Sequence, residues 1–231
     1  MKIGFIGAGN MASAIIKGAV FSGAFSASDI LVSDMDKTKT AALETALGVT
    51  AAEDNEALVA ASDVVVLAVK PNVFANLLPA LSDKLQAKNP LIISIAAGKT
   101  IEFIASLLSY EAAIVRVMPN INATVLEAMS AYCCNEHVTD EQKALAEKLC
   151  GSFGKVTPLS EDFFPLFGVI AGCAPAFSYM FIDALARAGV KNGMAKQAAL
   201  KIAAQTVYVC VILVVIAVIV LLSQIIFGDV P

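Results

Sequence analysis

The stretch Ile3-Gly-Phe-Ile-Gly-Ala-Gly-Asn-Met-Ala12 decides the architecture. A short apolar run ends at Gly7 and helix-forming residues resume at Met11, so the glycines occupy a strand-to-helix turn. The spacing Gly7-x-Gly9-x-x-Ala12 is the dinucleotide-binding fingerprint. Gly7 permits the tight turn, Gly9 lets a pyrophosphate approach the backbone, and Ala12 lets the helix close on the strand. The phosphates then rest on the N–H groups of the helix N-terminus. Ser33-Asp34 ends the second strand-like run, where such folds read the ribose. Asp34 as acceptor for a ribose 2′-hydroxyl favours NAD, whereas Ser33, Lys37 and Lys39 suit a 2′-phosphate. These residues leave both dinucleotides open.

Working outward, strand-like segments at 2–6, 30–33, 64–69, 91–95, 114–117 and 128–133 alternate with helix-like segments at 11–20, 37–47, 53–60, 73–81, 101–108 and 140–150. Several of the strands are continuous Val/Ile/Leu runs, as expected when both faces are buried. Thr139 and Gln142 form a capping box ahead of the last helix, which Gly151 ends. The pattern predicts a doubly wound α/β domain over 1–157. Beyond it, 160–188 reads as one long helix, Gly189 and Gly193 interrupt, and helical spacing resumes at Ala195. The second part, 158–206, is expected to be all-helical, and 207–231 is a separate hydrophobic tail.

The net charge is −4 and no basic block occurs, which argues against a nucleic-acid partner. Five cysteines without C-x-x-C spacing and a single histidine, His137, in a polar stretch argue against a disulfide framework and against a metal site. The N-terminal apolar run is too short and too glycine-rich for a secretory signal.

Four further motifs narrow the reading: Ala68-Val-Lys-Pro71, Ser94-Ile-Ala-Ala-Gly98, Arg116-Val-Met-Pro-Asn120 and Gly172-Cys-Ala-Pro-Ala176. In this order and spacing the chain resembles the pyrroline-5-carboxylate reductases, from residue 1 to about Val207. The resemblance implies hydride transfer from NADPH, or less often NADH, to the C=N bond of 1-pyrroline-5-carboxylate, the last step of proline synthesis, by a cytoplasmic homodimer or higher homo-oligomer. It implies that Ala8, Asn10 and Met11 join the fingerprint residues Gly7 and Gly9 in cradling the phosphates and that Ser33 and Asn55 contact the adenosine ribose. Val69, Lys70 and Ala97 are implied on the nicotinamide side, with Lys70 and Glu161 as substrate-side candidates. On physical grounds alone, Glu161 also suits the dipole of a helix start. A cyclic imine is readily protonated, so this chemistry needs attack geometry more than acid–base machinery.

The chain departs from the family pattern at Ile121-Asn122, where Thr-Pro is usual, and at Ala171-Gly-Cys-Ala-Pro-Ala176, where Ser-Gly-Ser-Gly-Pro-Ala is usual. After Val207 the family's Ser-Pro-Gly-Gly-Thr-Thr segment has no counterpart here, so the helical part reads as shortened and the substrate half of the site as incomplete. In its place stands Val207-Tyr-Val-Cys-Val-Ile-Leu-Val-Val-Ile-Ala-Val-Ile-Val-Leu-Leu222, the centre of a run from Ile202 to Gly228 that holds no charged residue and is long enough to cross a bilayer. Three expectations follow for the tail: a membrane anchor leaving the enzyme domain in the cytoplasm, a helix buried in an oligomer, or an altered C-terminus. The alternative to a working reductase is an NADP(H)-binding, membrane-tethered chain without turnover.

Overall fold

The computed structural model describes residues 1–227, and their side chains as far as Val211. It divides into two compact units, Met1–Gly172 and a second beginning at Cys173. In the first unit the described strands are β1 (Ile3–Ile6), β2 (Ile30–Ser33), β3 (Thr50–Ala51), β4 (Val64–Leu67), β5 (Leu91–Ser94), β6 (Ile114–Met118), β7 (Ala128–Cys134) and β8 (Gly154–Pro158). They form one sheet in the order β3-β2-β1-β4-β5-β6-β7-β8. All neighbours are parallel except β6 and β7. The order reverses between β1 and β4, and ligands of open α/β sheets lie at the carboxyl ends of strands beside such a reversal.

The strands alternate their side chains between two cores. Ile3, Phe5, Val64 and Val66 enter one core, and Ile6, Val65 and Leu67 enter the other. Helices α1 (Asn10–Phe21) and α6 (Asp140–Gly151) cover the first face through Ile15, Ile16 and Leu149. Helices α3 (Asn55–Ala61) and α4 (Phe74–Lys88) cover the second through Leu58, Phe74 and Leu78. Helix α2 (Lys37–Leu47) and the short α5 (Ile101–Ala105) complete the layers. With both faces covered, the Val/Ile runs read from the sequence are the strands buried on both sides.

The differences from expectation are local. Helix α3 begins two residues late because the Asp54 side chain caps it, accepting the Ala57 N–H at 2.7 Å. Helix α4 continues through Pro79 to Lys88. The capping box before α6 is present, with Thr139 and Gln142 bonded reciprocally. Strands β3 and β8 are additional: the first is two residues long, and the second carries Lys155 and ends on a proline at the sheet edge.

The backbone from Glu161 to Lys191 is helical, as expected, but not uniform: α7 (Phe164–Phe167) is followed by a π-helical stretch, Gly168–Cys173, and then α8 (Ala174–Lys191). In the second unit α8 packs against α9 (Lys196–Phe227) through Ala186, Ala199, Ala203 and Ile182. The turn between them has Gly193 at φ +89, and the Met194 N–H returns to the Gly189 carbonyl at 3.1 Å. Phe177, Met180 and Phe181 of α8 are 65%, 68% and 58% exposed. The hydrophobic tail at 207–231 belongs to α9 as far as Phe227. Its reading as a bilayer or oligomer segment falls on side chains beyond Val211, outside the described residues.

Candidate functional site

At the carboxyl end of β1 the chain turns at Gly7, whose φ is +106 and whose N–H donates to the Ser33 carbonyl at 2.7 Å. A Cβ at Gly7 would lie 2.7 Å from the Ala68 carbonyl oxygen, so only glycine fits between β1 and the end of β4. The Ala8 N–H donates to Asp34 Oδ2 at 2.8 Å, which ties the turn to β2 a second time. Gly9 is the N-cap residue of α1 in extended backbone, with no side-chain cap and no acidic residue in the first turn. A Cβ there meets nothing within 4 Å. The helix therefore presents N–H groups and a positive dipole end to open space, the arrangement that binds phosphate.

Beneath that helix end lies a cavity of about 280 Å³ lined by Gly7, Gly9, Ser33, Asn55, Val69 and Lys70, among others. Six residues expected from the sequence thus meet in one place. Ala8 is buried in the turn, while Asn10 and Met11 form the first residues of α1; these three are not part of the cavity wall. Ala97 is exposed on the loop after β5 and is not part of that wall. Val73 and Leu77 supply apolar wall, and Met35, 98% exposed, stands at the mouth after β2. Sequence reading passed over these three. A methionine between Asp34 and Asp36, directly after a strand-like run, was the available signal for Met35.

Lys70 is exposed at the carboxyl edge of β4, where Pro71 starts a short 3₁₀ turn. Glu161 is elsewhere. It lines a second cavity of about 680 Å³ with Tyr110, Cys133, Asn135 and His137. Its Oε1 accepts from Arg116 Nη1 at 2.7 Å and from the Ile101 N–H, at the start of α5, at 2.9 Å. Arg116 is 6% exposed and also stacks on the Phe164 ring, 4.5 Å to the centroid. The carboxylate thus neutralises a buried guanidinium and caps α5; the helix start it serves is not its own.

Asn120 is buried and occupied on both ends. Its Nδ2 donates to the Ala171 carbonyl at 3.0 Å and its Oδ1 accepts the Met129 N–H at 3.1 Å. Ala171 lies in the π-helical stretch, where the shifted hydrogen-bond pattern releases a carbonyl for such a partner. The motif ending in Asn120 therefore ties that stretch to β7. Burial pushes the Cys133 and Cys150 thiols up to about 12, and burial also raises Cys134, so none of the three supplies a thiolate near neutrality.

The comparisons with known proteins agree with the geometry. A family model described as NADP oxidoreductase, coenzyme F420-dependent, matches residues 2–98, and one described as pyrroline-5-carboxylate reductase dimerisation matches residues 161–217. Pyrroline-5-carboxylate reductase of Escherichia coli (strain K12) is 38% identical over 207 residues, 89% of this chain and 76% of that protein. The chain belongs to the pyrroline-5-carboxylate reductase family. Among solved family members, the Coxiella burnetii enzyme superimposes with a TM-score of 0.84 at 34% identity, covering 90% of this chain and 77% of that one. The Plasmodium falciparum enzyme, solved with NADP bound, gives 0.84 at 29% identity, covering 93% and 78%. The sheet and the helical second unit are those of this reductase family.

Proposed function

We propose that this chain is an oxidoreductase that binds NADP(H) in the cavity under α1 and reduces 1-pyrroline-5-carboxylate to L-proline. The observation that carries the reading is the uncapped N-terminus of α1 standing over Gly7, Gly9, Ser33, Asn55, Val69 and Lys70. The fit is chemical. N–H groups and a helix dipole meet the pyrophosphate, Ser33 and Asn55 offer hydrogen bonds to the adenosine ribose, and Val69 with Leu77 gives an apolar wall.

A dinucleotide held there would supply the hydride for the new C–H bond at the imine carbon, with the ring nitrogen keeping a proton taken from solvent. The chain's own residues bind and orient. The glycine turn and α1 fix the phosphates, and Val69 with Lys70 stands at the carboxyl edge of β4 beside the strand-order reversal. Lys70 places an ammonium group at this edge, of the sign required by the substrate carboxylate. Glu161 acts as an ion-pair partner of Arg116.

A second copy of the chain is the proposed partner, in a homodimer or higher homo-oligomer. The dimerisation match over residues 161–217 and the exposure of Phe177, Met180 and Phe181 both support it. The stretch Glu161–Lys191 is also long and apolar enough to cross a membrane, but the dimerisation match over residues 161–217 favours a protein partner.

NADPH oxidation by the purified full chain, with and without 1-pyrroline-5-carboxylate, tests the reading. Substrate-dependent oxidation with proline as product supports it, and saturable NADPH binding without turnover overturns the catalytic half. Sedimentation in detergent-free buffer tests the assembly: a discrete dimer or larger species supports self-association, and recovery only in a membrane fraction overturns it.

A further inference from the structure

Three alternate residues of β6 and its continuation, Arg116, Met118 and Asn120, each hold one part of the helical stretch that starts at Glu161. Arg116 takes the Glu161 carboxylate at 2.7 Å and the Phe164 ring at 4.5 Å. Met118 lies against Gly168, where a Cβ would stand 2.7 Å from its Cε, so a side chain there would have to displace it. Asn120 is the last of the three, with Nδ2 donating to the Ala171 carbonyl at 3.0 Å and Oδ1 accepting the Met129 N–H at 3.1 Å. One residue further, at Gly172, the first compact unit ends.

The carbonyl that Asn120 takes is one the α-helical ladder cannot serve. In an α-helix the donor to Ala171 would be the N–H of residue 175, and residue 175 is a proline. Pro175 is buried and leaves this gap where the π-helical Gly168–Cys173 gives way to α8. A buried carbonyl without its donor is costly, and the Asn120 amide fills the gap from outside the helix. Arg116-Val-Met-Pro-Asn120 and Gly172-Cys-Ala-Pro-Ala176, separate motifs in the sequence, are therefore joined by the hydrogen bond that one supplies and the other lacks.

We propose that Asn120 is a positioning residue for the reduction: its amide makes the hydrogen bond that Pro175 withholds from the helix, and so latches a joint at Gly168–Cys173 from which the second unit departs. With the latch closed, α8 starts from one fixed register. With it open, the Ala171 carbonyl has lost its donor and the stretch bends where the ladder is already broken. The role in catalysis rests on the reductase reading, since hydride transfer to an imine depends on how closely the two reactants are held. None of Gly168–Cys173 lines the cavity under α1, so the latch leaves dinucleotide binding alone.

The test compares the full chain as wild type, Asn120→Ala, Pro175→Ala and the double variant. Amide hydrogen exchange over residues 169–178 is read without ligand, beside NADPH binding and the kcat and KM for 1-pyrroline-5-carboxylate. Asn120→Ala is expected to speed exchange in that stretch roughly tenfold or more, the size of a lost buried hydrogen bond, and to lower kcat/KM by a similar factor. The amides of β1 and β4 should keep their protection, and NADPH binding should stay within about twofold. In the double variant the new N–H at 175 serves the Ala171 carbonyl, so exchange and kcat/KM should return to within about threefold of Pro175→Ala. The Met129 N–H is left bare by Asn120→Ala in both backgrounds and cancels in the comparison. If Asn120→Ala alone does not fold, the double variant must fold for the pairing to stand. The same acceleration in both backgrounds overturns the pairing, and acceleration spread evenly over the sheet overturns the latch. Faster local exchange with kcat/KM unchanged overturns the positioning role. A wild-type chain that binds NADPH without turnover overturns the reductase reading and the catalytic role with it, while exchange in the four proteins still decides the latch.

Discussion

Arg116 and Glu161 meet at 2.7 Å across 45 positions of sequence, joining β6 to the start of the helical stretch from Glu161. The Arg116 side chain is 7% exposed and the Glu161 side chain 29%. The pair therefore sits largely out of water, with the Ile101 N–H as a third member. Removing one partner leaves a charge with nowhere to go.

Glu161→Ala should accordingly lower stability by about 2–3 kcal/mol, below the full range for a buried pair because the carboxylate keeps some solvent. Glu161→Gln, which keeps an acceptor for Ile101, should lose less. Urea midpoints with unchanged slopes check this. If Glu161→Gln leaves the midpoint at the wild-type value and abolishes proline formation, Glu161 belongs to the chemistry instead.

The two fingerprint glycines should respond oppositely to alanine. Gly9→Ala meets no neighbour and keeps ordinary backbone angles, so it should lose no more than about 1 kcal/mol as a poorer N-cap while dinucleotide binding weakens roughly tenfold or more. Gly7→Ala forces a residue at φ +106 against the Ala68 carbonyl and should cost at least about 2 kcal/mol. Thermal melts set beside NADPH titrations separate the two effects. Wild-type affinity in Gly9→Ala would remove the pyrophosphate from this helix end.

Acid should weaken the fold in part through Asp63. The Lys2 N–H first, and then Lys88, hold its carboxyl below the ordinary value of 3.8. The unfolded chain therefore takes up the proton first as pH falls. The contribution is complete above about pH 4 and disappears as pH drops through the lower folded value. Comparing Asp63→Asn with wild type in urea at pH 7 and pH 3 tests the sign: the gap between them should shrink in acid, and a gap that widens contradicts the assignment.

Alkali should act through Cys150, whose thiol is pushed by burial from 9.0 to about 12. A raised folded value means full stability below the unfolded value and loss as pH rises. Between about pH 9 and 12 the unfolded chain releases a proton that the folded chain keeps, a slope approaching ~1.4 kcal/mol per pH unit. Cys150→Ala should flatten that slope in urea titrations; an identical slope in both proteins assigns the alkaline loss to other groups.

Much of this was legible in the residues. The turn at Gly7, Val/Ile runs too apolar to face water and the Thr139/Gln142 box are local signals, and each was found where expected. Strands β3 and β8 left no such mark. Two residues give no period, and an edge strand with Lys155 and a terminal Pro158 has the composition of a loop. The site divided in the same way. Ser33, Asn55, Val69 and Lys70 stand at strand or helix ends that the alternating pattern places together. What Glu161, Asn120 and Asp34 hold depends on partners up to 60 positions away, with Ile101 the farthest. Residue type alone does not carry that information.

The bare start of α1 has a thermodynamic side. A helix whose N-cap is glycine forgoes only a few tenths of a kcal/mol relative to a serine or aspartate cap, but the same N–H groups are what an anion would bind. Replacing Gly9 by serine should therefore make the ligand-free chain slightly more heat-stable and a poorer host for a dinucleotide. A selection for thermal resistance alone would drift toward that substitution, and only selection under cofactor limitation would keep the helix open.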